Sequence, residues 1–361
     1  MLNASTGHVV KIHRQTGRAW ALLDRKCVIL LLSFLLLVGV ALAAMTCGAY
    51  QLDVSDILHV IRFHCDPFFT LPAVDRLHNT IVWKIRLPRI LLAINTGIAL
   101  SLSGAVFQGC FRNPLVEPYI LGISSGAAFG AALGIVLPGF FLSVQSLAFL
   151  FALAAVTIAY FLAHTRGETP VILLILSGVI VGSVFSALVG IMKFIAEDSA
   201  LREIVFWLMG GFYYASWNDV ALLTPIILTS FVIIWSQSWK LNILSMGDDE
   251  AKTLGVNPEL LKFILITLAT LSTAVAVSSA GIIAWVGLMM PHAARMILGP
   301  DHRYLIPLAS ILGGIYLICC DTAARTLLDV EIPIGIITSI AGAPYLFFLL
   351  RSRGQSAFGG V

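Results

Sequence analysis

The sequence predicts an all-α integral membrane protein, a bundle of about ten transmembrane helices with both termini on the cytoplasmic side. Three observations lead there. The 361 residues are 59% hydrophobic and only 11% charged, whereas a soluble domain carries about 25% charged residues. Mean hydropathy is +0.96, so lipid rather than water has to solvate most of the chain. Ten apolar segments of spanning or near-spanning length recur, without the alternation of a membrane barrel strand. Inside a bilayer the backbone must satisfy its own hydrogen bonds, and the segments are therefore helices.

In chain order, residues 1–26 are polar and basic and read as a cytoplasmic extension. The first apolar run, 27–48, is longer than the core of a cleaved signal and reads as an anchored helix. The further segments are 89–110, 119–137, 143–164, 170–195, 219–239, 261–280, 282–298, 304–323 and 332–350. Residues 27–350 thus form one transmembrane domain, and 351–361 form a cytoplasmic tail. With the N-terminus inside, the inner side holds Lys11, Arg14, Arg18, Arg25, Lys26, Arg112, Arg166, Lys240, Lys252, Lys262, Arg295, Arg303, Arg351 and Arg353. That is fourteen of the twenty-two lysines and arginines, in agreement with the positive-inside rule.

Several function classes are disfavoured. The net charge of +3 and the absence of a long basic run speak against nucleic acid. The six cysteines fit no metal or disulfide spacing and read as small hydrophobes. His292 has no Asp, Glu or Cys cluster beside it and makes a poor metal ligand; no metal site is expected. Lys193, near the outer end of its span, reads as a snorkelling side chain. No chain of intramembrane carboxylates appears, which disfavours a secondary transporter. No cluster of His, Asp or Cys supports a membrane enzyme. The sequence also lacks G-x-x-x-x-G-K-[ST] and has no Gly-Lys pair at all, so nucleotide energy has to come from another polypeptide.

Small residues recur at four-residue spacing, which aligns them on one helix face for close packing. One set is Gly122, Gly126, Gly130 and Gly134. A second is Gly178, Gly182, Ser186 and Gly190, and a third is Gly335, Ser339 and Ala343. They read either as packing within one subunit or, for the second and third sets, as a pathway border and a subunit interface. The inner loop 241–262 carries Gly247, then Asp248, Asp249 and Glu250, acidic residues that suit a helix start. Ala251 and Leu254 follow, and Gly255 stands where a helix-ending glycine is expected. Asn257 and Pro258 read as the cap and first residue of the next span. A short helix stopped by Gly255 should lie across the membrane surface, either as a plain connector or as the contact for an energising partner.

These strings taken together resemble the FecCD family of ABC importer permeases, which includes vitamin B12, ferric-siderophore and heme permeases. The motifs run in order from about residue 84 to 350: RLPR at 86–89, GAVFQGCFRNPLVEPYILG at 104–122, FWLMGG at 206–211 and MGDDEAKTLGV at 246–256. GIIAWVGLMMPHAAR at 281–295, GPDHR at 299–303, DTAARTLLDVEIPIG at 321–335 and GAPYLFFLL at 342–350 complete them. Gln108, Asn113, Pro114, Pro118, Pro291, His292 and Arg295 fall on the family pattern. Ala284-Trp285 departs from it, standing where many members have Gly-Phe.

The resemblance implies a bundle like that of the vitamin B12 permease. It also implies a second copy or close paralogue of the chain, two cytoplasmic ATP-binding subunits seated on the 246–256 loops, and an extracytoplasmic binding protein. ATP and magnesium would belong to the partner subunits, and this chain would bind no cofactor. Arg86, Arg89 and Arg325 match the family's outer arginines and would meet glutamates of the binding protein; membrane-interface anchoring is the plainer alternative. For cargo the family implies a metal chelate, a ferric siderophore first, with cobalamin, heme or molybdate and tungstate as alternatives.

Overall fold

The structure is a computed structural model that describes residues 4–48, 50–65, 76–139, 142–165 and 167–353. Arg166 and tail residues 354–361 lie outside the described residues. The helices are α1 (Ala4–Thr46), α2 (Val54–Cys65), α3 (Arg76–Asn79), α4 (Leu87–Phe111), α5 (Ile123–Val136), α6 (Val144–Ala163), α7 (Val171–Ile195) and α8 (Asp198–Met209). Then come α9 (Trp217–Ser236), α10 (Ser238–Leu244), α11 (Asp248–Thr253), α12 (Pro258–Ala280), α13 (Val286–Leu298), α14 (His302–Thr326) and α15 (Ile334–Arg353). No strand occurs among the described residues.

All ten expected segments are helical, but they are not equivalent. Seven are long and apolar enough to cross a bilayer, and two apolar helices, 123–136 and 286–298, are shorter. The expected second span starts earlier than 89, because a π-helical turn over Thr80–Arg86 joins α3 to α4. The expected third and eighth spans are cut short at their starts. A 3₁₀ turn at Pro118–Leu121 and Gly122 at φ +82° precede α5, and Trp285 at φ +76° precedes α13. Helices α5 and α13 have fourteen and thirteen residues, about 20 Å each, and cannot cross alone.

The reason is the path of the loops that feed them. Pro118 packs against Gly287, and Gly287 lies against the Leu100 carbonyl. Leu100 sits eleven residues before the end of α4, about 16 Å back along it. The 112–122 loop and the start of α13 therefore meet near mid-bundle, where irregular backbone is tolerated because protein surrounds it. Tyr119 closes the arrangement, its hydroxyl donating to the Ile283 carbonyl at 2.8 Å.

Helix α4 is the axis of the bundle and is buried along nearly its whole length. Its small residues let neighbouring backbones touch. A Cβ on Gly97 would collide with Gly313 of α14, and one on Gly104 with Gly287 of α13. We expect Gly97→Leu to cost about 3 kcal/mol through overpacking, read as a lower thermal midpoint in detergent. A loss below about 1 kcal/mol would mean α4 and α14 are not in this contact.

The glycine sets now have addresses. Gly126 and Gly130 of α5 seat the Phe151 and Leu147 carbonyls of α6, and Gly134 lies against Val144. Gly178 meets the Ile120 carbonyl, Gly182 faces Gly122, and Ser186 donates to Ser125 Oγ at 3.3 Å. Three positions of the second set thus pack within the chain, and only Gly190 faces open space. Gly335 packs on the Met209 and Ile282 carbonyls, and Ser339 is half-buried. Gly342 leaves room for the Trp285 ring, which accommodates the larger aromatic at that position.

Candidate functional site

Three clusters of functional side chains stand at the two ends of the bundle. The first is the loop between α9 and α12. Acidic Asp248, Asp249 and Glu250 form the first turn of α11, Gly255 follows it at φ +77°, and the Asn257 side chain caps α12 ahead of Pro258. Ala251 is fully buried and holds the helix to the bundle. Gly247 leaves no room for a Cβ, because the Glu250 carboxylate folds back over it. Outward, Met246 and Leu254 are exposed, and Asp249 is nearly fully solvated.

Sequence reasoning missed the residue that pins this helix. Lys262 of α12 is only 2% exposed, and its Nζ donates to Asp248 Oδ2 at 2.6 Å and to Glu259 Oε1 at 3.3 Å. The available signal was a lysine one turn after an acidic residue in an apolar helix, fourteen residues beyond the acidic cluster.

The second cluster lies at the same end, beneath the loop. Gln108, Asn113, Pro114, His292 and Arg295, all motif residues, line one open cavity of about 310 Å³. Asn113 turns the loop, its Oδ1 accepting from the Leu115 N–H at 2.9 Å. Pro291 sits inside α13. The Gln108 side chain donates to the Val116, Gly287 and Leu288 carbonyls and accepts from Arg295 Nη2 at 3.0 Å. It thereby ties α13 to the re-entrant loop. Nearby, Asp301 caps α14; burial works against its ionised form, but hydrogen bonds from Arg303 and Asn242 outweigh this and hold the carboxyl at about 2.

The third cluster is at the opposite end, where the outer arginines gather around an open cavity of about 1170 Å³. Here the expectation of exposed docking charges needs correcting. Arg86 and Arg89 are buried. Arg86 donates to the Met45 and Tyr50 carbonyls. Arg89 Nε donates to Asp321 Oδ1 at 2.8 Å, and its Nη1 reaches Glu331 at 3.1 Å. Arg325 Nε takes the other Asp321 oxygen at 3.1 Å, and its Nη1 reaches the Cys47 carbonyl at 3.4 Å. Asp53, Asp329 and Glu331 line this cavity, so with Asp321 four carboxylates stand at the same end as the three arginines. Guanidiniums in a low-dielectric setting need partners, and the chain supplies its own. Asp321 was overlooked although Arg325 stands one turn further along the same helix; its other partner, Arg89, is 232 residues away.

Near this end the aromatics also cluster. His64 stacks on Trp83 at 3.8 Å, Trp217 lies 4.9 Å from Trp83, and the Trp217 indole donates to the Trp83 carbonyl. Such rings are characteristic of the membrane–water interface. Among the described residues no group of three His, Cys, Asp or Glu side chains is placed to hold a metal ion.

Comparison with known proteins bears on this arrangement. The family model described as the FecCD transport family matches residues 35–352. A cobalamin import system permease of Halobacterium salinarum is 42% identical over 78% of this chain and 76% of its own length. A molybdate import system permease of Haemophilus influenzae is 38% identical over 89% and 96%. A hemin transport system permease of Yersinia pestis is 40% identical over 76% and 84%. Among solved structures, a metal-chelate type ABC transporter in an inward-facing conformation matches with a TM-score of 0.79 and 37% identity, covering 90% of this chain and 98% of that one. These relatives are permease proteins of import and transport systems. The chain belongs to the FecCD transport family and is a multi-pass inner-membrane permease of the ABC importer class.

Proposed function

We propose that this permease moves a metal chelate, a ferric siderophore foremost, into the cytoplasm with energy taken from two ATP-binding subunits seated on α11. The observation that carries the reading is the short helix α11. It is anchored to the bundle by Ala251 and Lys262, yet it presents Met246, Asp249 and Leu254 outward in a chain with no nucleotide-binding loop of its own. An anchored helix with exposed apolar side chains suits a mechanical contact: movement of a partner is passed to α12 rather than absorbed by a floppy loop.

A second copy of the chain completes the pathway in this reading. It faces the apolar surfaces of α7 and α15, where Ile180, Val184 and Ile191, and Ile336 and Ile340, are exposed. The binding protein docks at the opposite cavity. Loop 327–331 offers exposed Leu327, Leu328 and Val330 for contact, while Arg86, Arg89 and Arg325 hold the mouth in shape.

Two measurements test this. Leu254→Asp leaves an exposed position exposed, so the protein should insert normally while its association with the ATP-binding subunit falls about tenfold or more, the scale of an interface anchor. Unchanged association would remove α11 as the contact. For cargo, the cognate binding protein should bind a ferric chelate in preference to cobalamin, heme and molybdate; preference for any of the others replaces the siderophore.

A further inference from the structure

The cavity of about 310 Å³ beneath the coupling loop has a chemistry that cargo transport does not account for. Its charged and titratable lining consists of Arg112, Arg295, His292 and His302, with no carboxylate among the lining residues. Arg295 is half-buried, and among the described residues its side chain donates to the neutral Gln108 amide. No ion pair joins Arg295 or Arg112 to any carboxylate among the described residues. This contrasts with Arg89 and Arg325 at the other end of the molecule, which have carboxylates of their own. A partly desolvated guanidinium without a counter-ion is costly, and an anion would complete it.

His302 supplies a separate observation. It is 4% exposed, and its orientation is set by its neighbours. Asn242 Nδ2 donates to Asp301 Oδ1 at 2.8 Å, which directs Asn242 Oδ1 towards His302. That oxygen accepts from the His302 backbone N–H at 2.9 Å and from Nδ1 at 2.7 Å. Nδ1 therefore carries a hydrogen, while the buried Nε2 has no partner. The Nε2 lies beside Gly109, where a Cβ would come within 2.9 Å of it, and both residues line the cavity. A protonated oxyanion can donate to this nitrogen, and an imidazolium can donate to a bare one. The planar fork of an arginine suits the same tetrahedral ligand.

We propose that this cavity is a binding site for an oxyanion of the phosphate class, held by Arg295 and Arg112 with His302 as a further partner. The volume is at the small end of ordinary ligand sites, so the ligand is a single phosphate group with its waters rather than a nucleotide. Occupancy would have a mechanical consequence. Arg295 is bonded to Gln108, and Gln108 to the Val116 carbonyl, so an anion on Arg295 braces the re-entrant loop against α13. The inference does not depend on which cargo is carried. The phosphate comes either from solution or from a lipid headgroup, since the cavity opens at a bundle end.

The test uses the full-length chain in phosphate-free dodecyl maltoside micelles, with thermal unfolding followed in sodium phosphate and in sodium chloride of matched ionic strength. A ligand that binds only the folded form raises the midpoint in a saturable way. The proposal expects that rise with phosphate. It also expects apparent affinity to fall about tenfold in Arg295→Gln and about threefold in Arg112→Gln, as for the loss of a charge-assisted bond. Arg112 is exposed, so its variant tests the site even if Arg295→Gln folds poorly. Nanodiscs of phosphatidylglycerol separate the sources: a phosphate response lost there assigns the site to a headgroup, and one retained assigns it to the free ion. Absence of a saturable phosphate response in the micelles overturns the proposal, as does a response of wild-type strength in Arg112→Gln, which would place the bound phosphate elsewhere.

Discussion

Asp321→Ala is expected to cost about 3–5 kcal/mol, the range for removing one partner of a buried ion pair. Asp321 is 1% exposed and gives one oxygen to Arg89 and the other to Arg325. Its loss leaves Arg325 with no carboxylate and Arg89 with only the half-exposed Glu331. Two guanidiniums in a dry setting then repel each other, and the cavity mouth between α4 and α14 opens. Chemical unfolding in detergent measures the stability term. Binding-protein affinity measured on the same sample should drop even though no contact residue has changed. A cost below about 1 kcal/mol would show that water reaches both arginines and that the pairs are of the exposed kind.

Lys262→Met should separate transport from hydrolysis. The methionine fills the apolar part of the lysine's place, so the core is retained, but α11 loses its ionic attachment to α12 through Asp248, and Glu259 within α12 loses its partner. Both carboxylates are partly solvated, with side-chain exposures of 33% for Asp248 and 25% for Glu259. They can rehydrate, so the global cost stays near 1–2 kcal/mol. The effect on coupling is larger because the helix can shift without carrying α12 along. In proteoliposomes with the ATP-binding subunits we expect uptake per ATP hydrolysed to fall about tenfold, equivalent to about 1.4 kcal/mol of lost coupling. An unchanged ratio would mean that force passes through Ala251 packing alone.

These two residues mark where reading the chain stops short. The inner loop was legible because its features are local: an acidic first turn, a glycine in the left-handed region and an Asn-Pro cap all fall within eleven residues of one another, from Asp248 to Pro258. The lysine beneath it was counted only as a basic residue on the inner side. Burial turns it into a rivet, and burial depends on where α12 lies relative to α11. The outer arginines show the same limit more sharply. Position along the chain placed them at the end opposite the 246–258 loop, but for Arg89 whether the guanidinium faces solvent or a partner depends on Asp321 and Glu331, more than 200 residues away. The oxyanion cavity follows suit, drawing its residues from α4, α13, α14 and the loops beside them.

The sequence by itself determined the solvent, the helical class and the ten apolar segments, because a bilayer forces each spanning stretch to satisfy its backbone within itself, a requirement visible residue by residue. It also determined the helix ends at the 246–258 loop and the absence of a P-loop string. Only the tertiary structure decided which segments fall short of a full crossing, which glycines meet carbonyls, and which charges are paired. The physical reason is that these depend on contacts between distant parts of the chain: a loop ends at mid-bundle because Pro118 finds Gly287 there, and an arginine is neutralised because a carboxylate from another helix arrives beside it.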